Sequence, residues 1–245
     1  MLPAASFQSV AEEEFERILY HITHDLRAAF RAVKTIPDWI REDLDSPGGR
    51  ENIELHLEML EVQAGRGDQI LLDLRKFSRV GRRSEAPVHC NLQDCIDRTS
   101  RTVGLPAGFN LVVEGDDADV LAPPGDLTEL FAAILGNAVK HHDAHTGKLN
   151  VRIVRDGNRT TVLCADDGPG VPSRFNEKVF ELMSTLKPRD VCEGSGVGLA
   201  LCRRIMRHVG GFISILPCDS RGTTVRLDFP AIPEDVDGDA AATVN

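Results

Sequence analysis

No run of about 18 apolar residues occurs in the 245-residue chain, so no segment reads as a membrane-spanning helix. The opening MLPAASFQSVAEEEFER lacks the basic-then-apolar order of a secretory leader. Its six cysteines (Cys90, Cys95, Cys164, Cys192, Cys202 and Cys218) show no CxxC spacing, which argues against zinc and against a disulfide framework. Scattered thiols in such a chain read as reduced, and the expected location is the cytoplasm. Cations are scarce: 28 Lys+Arg against 38 Asp+Glu leave a net charge of −10. That balance disfavours nucleic acid and anionic membrane surfaces as partners. The end, 231–245, has four acidic side chains and no base, and reads as a solvated, disordered tail. What is present is ordinary: 42% hydrophobic and 27% charged residues, enough for one large or two small globular domains.

Two halves with different periods follow the lead at residues 1–10. Over 11–83 the spacing predicts two long helices. Phe15, Ile18, Ile22, Leu26, Ala29, Val33, Ile36 and Ile40 keep one helical face, with a break or kink expected at Pro37. Asp45-Ser46-Pro47-Gly48-Gly49 is a turn signal. Ile53, Leu57, Leu60, Ala64, Gly67, Leu71, Leu74 and Ser78 then alternate steps of four and three, the seam of a coiled coil or bundle. Gly65 and Gly67 weaken that helix, by about 1 kcal/mol each relative to alanine. Two helices joined by one turn bury a single seam, so pairing with a second copy into a four-helix bundle is expected.

From 88 to 230 the pattern is α/β with a mixed or antiparallel sheet. Strands are expected at 111–113, 149–154, 160–165, 211–216 and 223–229, with a hairpin turn at Asp156-Gly157-Asn158. A helix is expected from Asp126, capped with Glu129, and another over 198–208.

Several residues in this half carry chemistry. Asp166 ends a strand and opens Asp166-Asp167-Gly168-Pro169-Gly170. A carboxylate there suits an exocyclic amine such as adenine's, and glycines admit a flat ligand, although DxGxG is also an ordinary turn. Gly194-Ser195-Gly196-Val197-Gly198-Leu199 opens a helix whose unpaired N–H groups favour an anion. It is neither a dinucleotide fingerprint nor a P-loop, because no strand precedes it and no Gly-Lys-Ser/Thr follows. Asn137 and Lys140 share one face near a helix end. An amide oxygen suits Mg²⁺ and an ammonium suits phosphate, while Asn, Lys and His also cap helices. Neighbouring His141 and His142 cannot easily point at one ion, which argues against zinc.

Taken in order, Asn137-Ala138-Val139-Lys140-His141-His142, DDGPG at 166–170, Lys187-Pro188-Arg189-Asp190, GSGVGLAL at 194–201 and Gly222-Thr223-Thr224 resemble the successive boxes of the sensor histidine kinase ATP-binding domain. That fold is shared with gyrase, Hsp90 and MutL. The resemblance implies that Asn137 holds Mg²⁺, that Asp166 reads the adenine amine, and that Gly168 and Gly170 line its pocket. Gly194, Gly196 and Gly198, with Ser195, Val197 and Leu199 between and after them, would form the lid hinge and phosphate contacts. Lys187 and Arg189 would lie in the lid, Thr223 behind Asp166, and Phe180 would anchor the lid. Lys140 and His141 complete the expected ATP-binding set.

In the first helix His24 lies about 200° from Ile22, off the apolar stripe, and is expected to be accessible. Neutral imidazole is a nucleophile, and Asp25 beside it would orient it or take its proton. Ile22-Thr23-His24-Asp25-Leu26-Arg27-Ala28-Ala29-Phe30-Arg31 resembles the phospho-acceptor box of the same kinases, with His24 as acceptor and His21 as competitor. The implied fold class is α+β: a helical hairpin forming a dimeric four-helix bundle, then an α/β sandwich ATP-binding domain with a mixed sheet. The implied function is autophosphorylation of His24 from Mg-ATP and transfer to an aspartate on a response regulator receiver domain. A separate sensor protein is a possible source of the signal. The alternatives are a non-enzymatic phosphotransfer scaffold with a degenerate ATP site, and an anti-sigma-type serine kinase. Three positions depart from the family: Ala29 where proline is frequent, Ala28 where Thr or Asn would orient water, and Ala133 four residues before Asn137. They predict a straighter helix, weak phosphatase activity, and weaker Mg²⁺ binding without ATPase chemistry.

Overall fold

A computed structural model describes residues 4–44, 46, 49–82, 84–186, 195–217 and 221–232. Its side chains are described from Leu19 onward, save His21. The chain divides into two compact units.

The first unit is a helical hairpin together with residues 181–186 and 195–197. Helix α1 spans Ala4–Leu44 and α2 spans Arg50–Arg79. Helix α1 starts within the expected 1–10 lead, and it does not end at Pro37. Ile36, 1% exposed, is buried directly before that proline, and its packing offsets the lost backbone hydrogen bond.

The seam expected along α2 is divided. Gly67 and Ile70 are buried and Leu74 is half-buried, whereas Leu57 and Leu71 are 44% and 49% exposed. One edge of the stripe therefore meets α1, and the other faces outward. Gly67 sits opposite Ala29, so a Cβ at 67 would stand 3.8 Å from the Ala29 Cβ. The glycine expected only to weaken the helix is thus at the place where α1 and α2 approach closely. One turn beyond Gly67, Ile70 forms a buried cluster with Met183 and Val197. Ile22, Leu26, Leu74, Phe77 and Leu182 pack around it.

The second unit, Arg79–Phe180 with the chain from Gly198, is the α/β part. Its elements are β1 (Val88–Asn91), α3 (Leu92–Val103), β2 (Phe109–Gly115), β3 (Asp119–Ala122), α4 (Pro124–Lys140), β4 (Gly147–Asp156), β5 (Arg159–Asp166), α5 (Gly198–His208), β6 (Phe212–Leu216) and β7 (Thr224–Phe229). Two 3₁₀ turns lie at Ser173–Phe175 and Lys178–Phe180. A five-stranded sheet runs β2-β4-β5-β7-β6, and β1 and β3 form a separate antiparallel pair. Only β2–β4 is parallel within the large sheet, which makes it mixed. Strand β4 alternates cleanly: Leu149, Val151 and Ile153 are buried while Asn150, Arg152 and Val154 are exposed. The buried side is covered by helices carrying Leu130, Phe131, Cys202, Ile205 and Met206.

The elements β1, α3 and β3 were not expected from the sequence. Helix α4 also starts two residues before the expected cap, with Pro123 at the cap position and no side-chain cap bond. Asp126 accepts instead from the Ser84 hydroxyl at 2.8 Å. That bond, with Arg204 donating to the Val80 carbonyl at 3.2 Å, ties the segment after α2 onto the α/β unit. The acidic tail from 233 onward lies outside the described residues.

Candidate functional site

Strand β5 delivers Asp166 to its C-terminal end. The backbone there is stitched to the loop before β7: Asp166 N–H donates to the Thr223 carbonyl at 3.0 Å. The Asp166 Oδ1 atom accepts from the Gly168 amide at 2.9 Å and the Thr223 amide at 3.2 Å. Two amides on one oxygen leave Oδ2 to accept from a ligand amine. Burial pushes the Asp166 carboxyl above the usual aspartate range, against the pull of those two amides and of His142.

Close approach of backbones fixes this turn. A Cβ at Gly222 would lie 2.0 Å from the Asp166 carbonyl oxygen, and φ there is +104°. Gly170, at φ +80°, faces the Gly222 carbonyl in the same way, at 2.7 Å from a would-be Cβ. Gly170, one of the two glycines expected to line an adenine pocket, is therefore required by the fold of the turn as well.

Asn137 lies on α4 one turn before its end, Lys140 is the last helical residue, and His141 is the C-cap. Lys140 and His141 are exposed, and Asn137 is half-buried. Gly198, the first residue of α5, leaves room beside the Asn137 amide: a Cβ there would stand 3.6 Å from its Oδ1 and 4.0 Å from the Ala133 Cβ. One amide oxygen in an open cradle fits Mg²⁺, which keeps several waters and takes phosphate oxygens for the rest. Helix α5 carries no acidic residue in its first turn, so the amides around Gly198 and Leu199 are suited to an anion. Phe180 is 3% exposed, and the Arg203 guanidinium lies 4.2 Å from its ring centroid. Arg203 also pairs with Glu177 at 2.7 Å. No sequence pattern singled out Arg203.

Ser195, Gly196 and Val197 belong to the first unit. The Ser195 hydroxyl donates to Asp73 Oδ2 at 2.5 Å and accepts from the Val197 amide at 3.3 Å. Val197 is fully buried beside Ile70, so its side chain is a core element and only its backbone is left for a ligand. Gly196, at φ +70°, accepts at its carbonyl from the Met183 amide at 3.0 Å. Lys187, Arg189 and Gly194 lie outside the described residues.

On α1, the His24 side chain is 66% exposed, as its angle from the apolar stripe predicted, and the Asp25 side chain is 8% exposed. His24 Nδ1 lies 3.3 Å from Asp25 Oδ1. A carboxylate on Nδ1 directs Nε2 outward as the free nucleophilic nitrogen. The Tyr20 ring stacks beside His24, with centroids 6.2 Å apart. The His21 side chain lies outside the described residues. Among the described residues no cluster of three His, Cys, Asp or Glu side chains could hold a metal. No described helix is long and apolar enough to cross a membrane.

Residues 123–233 match the family described as histidine kinase-, DNA gyrase B- and HSP90-like ATPases. That match covers the ATP-binding part of the chain, and the relatives similar to nearly the whole chain are named as sensor histidine kinases. It is 30% identical over 221 residues to the methanogenesis regulatory histidine kinase FilI of Methanothrix harundinacea, covering 89% of this chain and 25% of that protein. It is 26% identical over 227 residues to the adaptive-response sensory kinase SasA of a Synechococcus species, covering 88% of this chain and 59% of that one. The chain thus spans between a quarter and three-fifths of these relatives. Among solved structures, the histidine kinase ThkA in complex with its response regulator TrrA aligns with a TM-score of 0.67 at 17% identity, over 96% of this chain and 69% of that one. The Acinetobacter baumannii histidine kinase AdeS aligns with a TM-score of 0.66 at 16% identity, over 86% and 98%. These likenesses show the α+β fold: a helical N-terminal region followed by a mixed-sheet domain.

Proposed function

We propose that this kinase core moves the γ-phosphoryl group of Mg-ATP onto His24 and then to an aspartate of a response regulator. The observation that carries the reading is His24 itself: an exposed imidazole whose Nδ1 faces a shielded carboxylate, in a chain with a histidine-kinase ATP-binding domain. The bond between the γ-phosphorus and its bridging oxygen breaks, ADP leaves, and a P–N bond forms at Nε2. Asp25 retains the Nδ1 proton and stabilises the charge on the ring. Asp166 orients adenine, Lys140 and the α5 amides neutralise phosphate charge, and Asn137 would hold Mg²⁺, which supplies charge neutralisation when bound. Catalysis of this kind is mostly positioning and electrostatics.

The acting form in this reading is a homodimer. The outward edge of the α2 stripe, Leu57 and Leu71, leaves the hairpin with an exposed apolar edge suited to a second copy. The receiver domain of the regulator would meet the hairpin around His24, and the expected location is the cytoplasm. Ala28, exposed one turn after His24, offers no group to orient a water, which supports weak phosphatase activity. Ala133 supports a second reading, a phosphotransfer scaffold that no longer turns over ATP.

Incubation with γ-labelled ATP and Mg²⁺ separates them. Label that is lost in acid, survives base and is absent from His24→Ala is the expected result. Nucleotide binding without label in any variant would sink the kinase reading and leave the scaffold. Label stable to acid would point to a serine kinase.

A further inference from the structure

The sequence offers His142 only as the second of two adjacent histidines, and the reading of the site gives it no role. The structure buries it: its side chain is 3% exposed, and its ring meets Phe109 edge-on with centroids 5.3 Å apart. Its two nitrogens have different partners. Nδ1 lies 3.0 Å from the Ala144 amide nitrogen, 3.2 Å from the Ala144 carbonyl oxygen and 3.7 Å from Asp143 Oδ1, and Nε2 lies 3.1 Å from Asp167 Oδ1. An ionised carboxylate can only accept, so Nε2 carries a proton that points at Asp167 whether or not Nδ1 is also protonated.

Asp167 follows directly on Asp166 and is held from three directions. Its Oδ1 also accepts from the Lys148 amide at 2.7 Å, and its carbonyl accepts from Arg221 Nε at 2.8 Å. Arg221 in turn pairs with Asp143. The Lys148 amide and His142 hold the Asp167 carboxyl below the usual aspartate range, so this group stays an ionised acceptor. The loop after α4, the start of β4 and the loop before β7 thus converge on one residue. His142 is the member of this group that ties the Asn137–Lys140 end of α4 to the turn bearing Asp166.

We propose that His142 is a positioning residue for purine selectivity: its bond to Asp167 locks the Asp166 turn so that only an exocyclic amine is accepted there. This inference rests on the reading of Asp166 as the adenine contact. Adenine places an amine where guanine places a carbonyl oxygen. A fixed carboxylate accepts from the first and repels the second. A loosened turn lets Asp166 rotate away and present the Gly168 amide, which can donate to the guanine oxygen. Loss of the latch therefore costs adenine affinity and spares or improves guanine affinity.

The test is calorimetric titration of the full chain with Mg-ADP and Mg-GDP, which needs no turnover. The wild type is expected to prefer ADP. In His142→Ala the ADP Kd should rise roughly fivefold to tenfold, about the net worth of one ordinary hydrogen bond. The GDP Kd should not rise, so the preference falls by the same factor. His142→Gln, whose side-chain amide can reach Asp167, should restore the wild-type ratio. Asp167→Ala removes the same bond from a side chain that is 49% exposed, and keeps the test open where His142→Ala does not fold. It should lower the ratio in the same way. Equal weakening of both nucleotides, or an unchanged ratio, would overturn the latch while leaving the Asp166 contact standing. A wild type with no preference for ADP over GDP would overturn that contact and the latch together.

Discussion

The two units close their cores differently. In the α/β unit Leu92, Ile96, Leu127, Leu130, Phe131, Ile205 and Met206 are all fully buried within one chain. In the hairpin, Ala29, Ile36, Gly67 and Ile70 are buried, while Leu19, Tyr20, Phe30, Trp39, Leu44, Leu55, Leu57, Met59, Val62 and Leu71 remain exposed. A sheet with helices over one face can satisfy itself. Two amphipathic helices cannot, because each carries an apolar stripe wider than a single neighbour covers. Among the described residues the first unit leaves more large apolar side chains exposed than the second.

The largest expected break in this comparison is Leu130→Ala. It opens a cavity under the sheet and should cost about 2–5 kcal/mol. The only tryptophan, Trp39, and the only tyrosine, Tyr20, both lie in the hairpin. Urea unfolding followed by tryptophan emission should leave its transition in place while the circular-dichroism transition moves to lower urea. Coincident shifts by both probes would show that the units unfold as one.

A mid-sized effect is expected from Leu71→Glu combined with Leu57→Glu. Both side chains are already exposed in one chain, so monomer folding and ADP binding should hold. Charges facing a second copy should convert a dimer to a monomer, visible by sedimentation. An unchanged dimer would place the interface on another face.

The smallest effect, and one of opposite sign, belongs to Gly67→Ala. The added methyl meets Ala29 Cβ at 3.8 Å, an ordinary contact, and alanine is the better helix former. A gain of about 0.5–1 kcal/mol in hairpin stability is expected from thermal unfolding watched at Trp39. A loss would mean that the helices cross more tightly at Ala29 than this contact allows.

Much of the site was legible because its residues are close in sequence and carry strong local signals. The Asp166 turn, the start of α5 and the exposed His24 follow from glycine placement and helical period. What escaped was set by partners far along the chain. Asp126 reads as a helix cap until Ser84, 42 residues earlier, takes its oxygen. His142 reads as a surplus histidine until Asp167 arrives 25 residues later. Val197 reads as a ligand contact until its side chain is seen against Ile70.

The sequence by itself determined the order and type of the principal elements and singled out the candidate site residues, since period, turn chemistry and residue type are local properties. Tertiary structure alone decided which edge of the α2 stripe faces inward, that β1 and β3 pair apart from the main sheet, and that His142 braces the Asp166 turn. A period says that a face is apolar, but which surface meets it depends on packing between segments that the linear chain keeps apart.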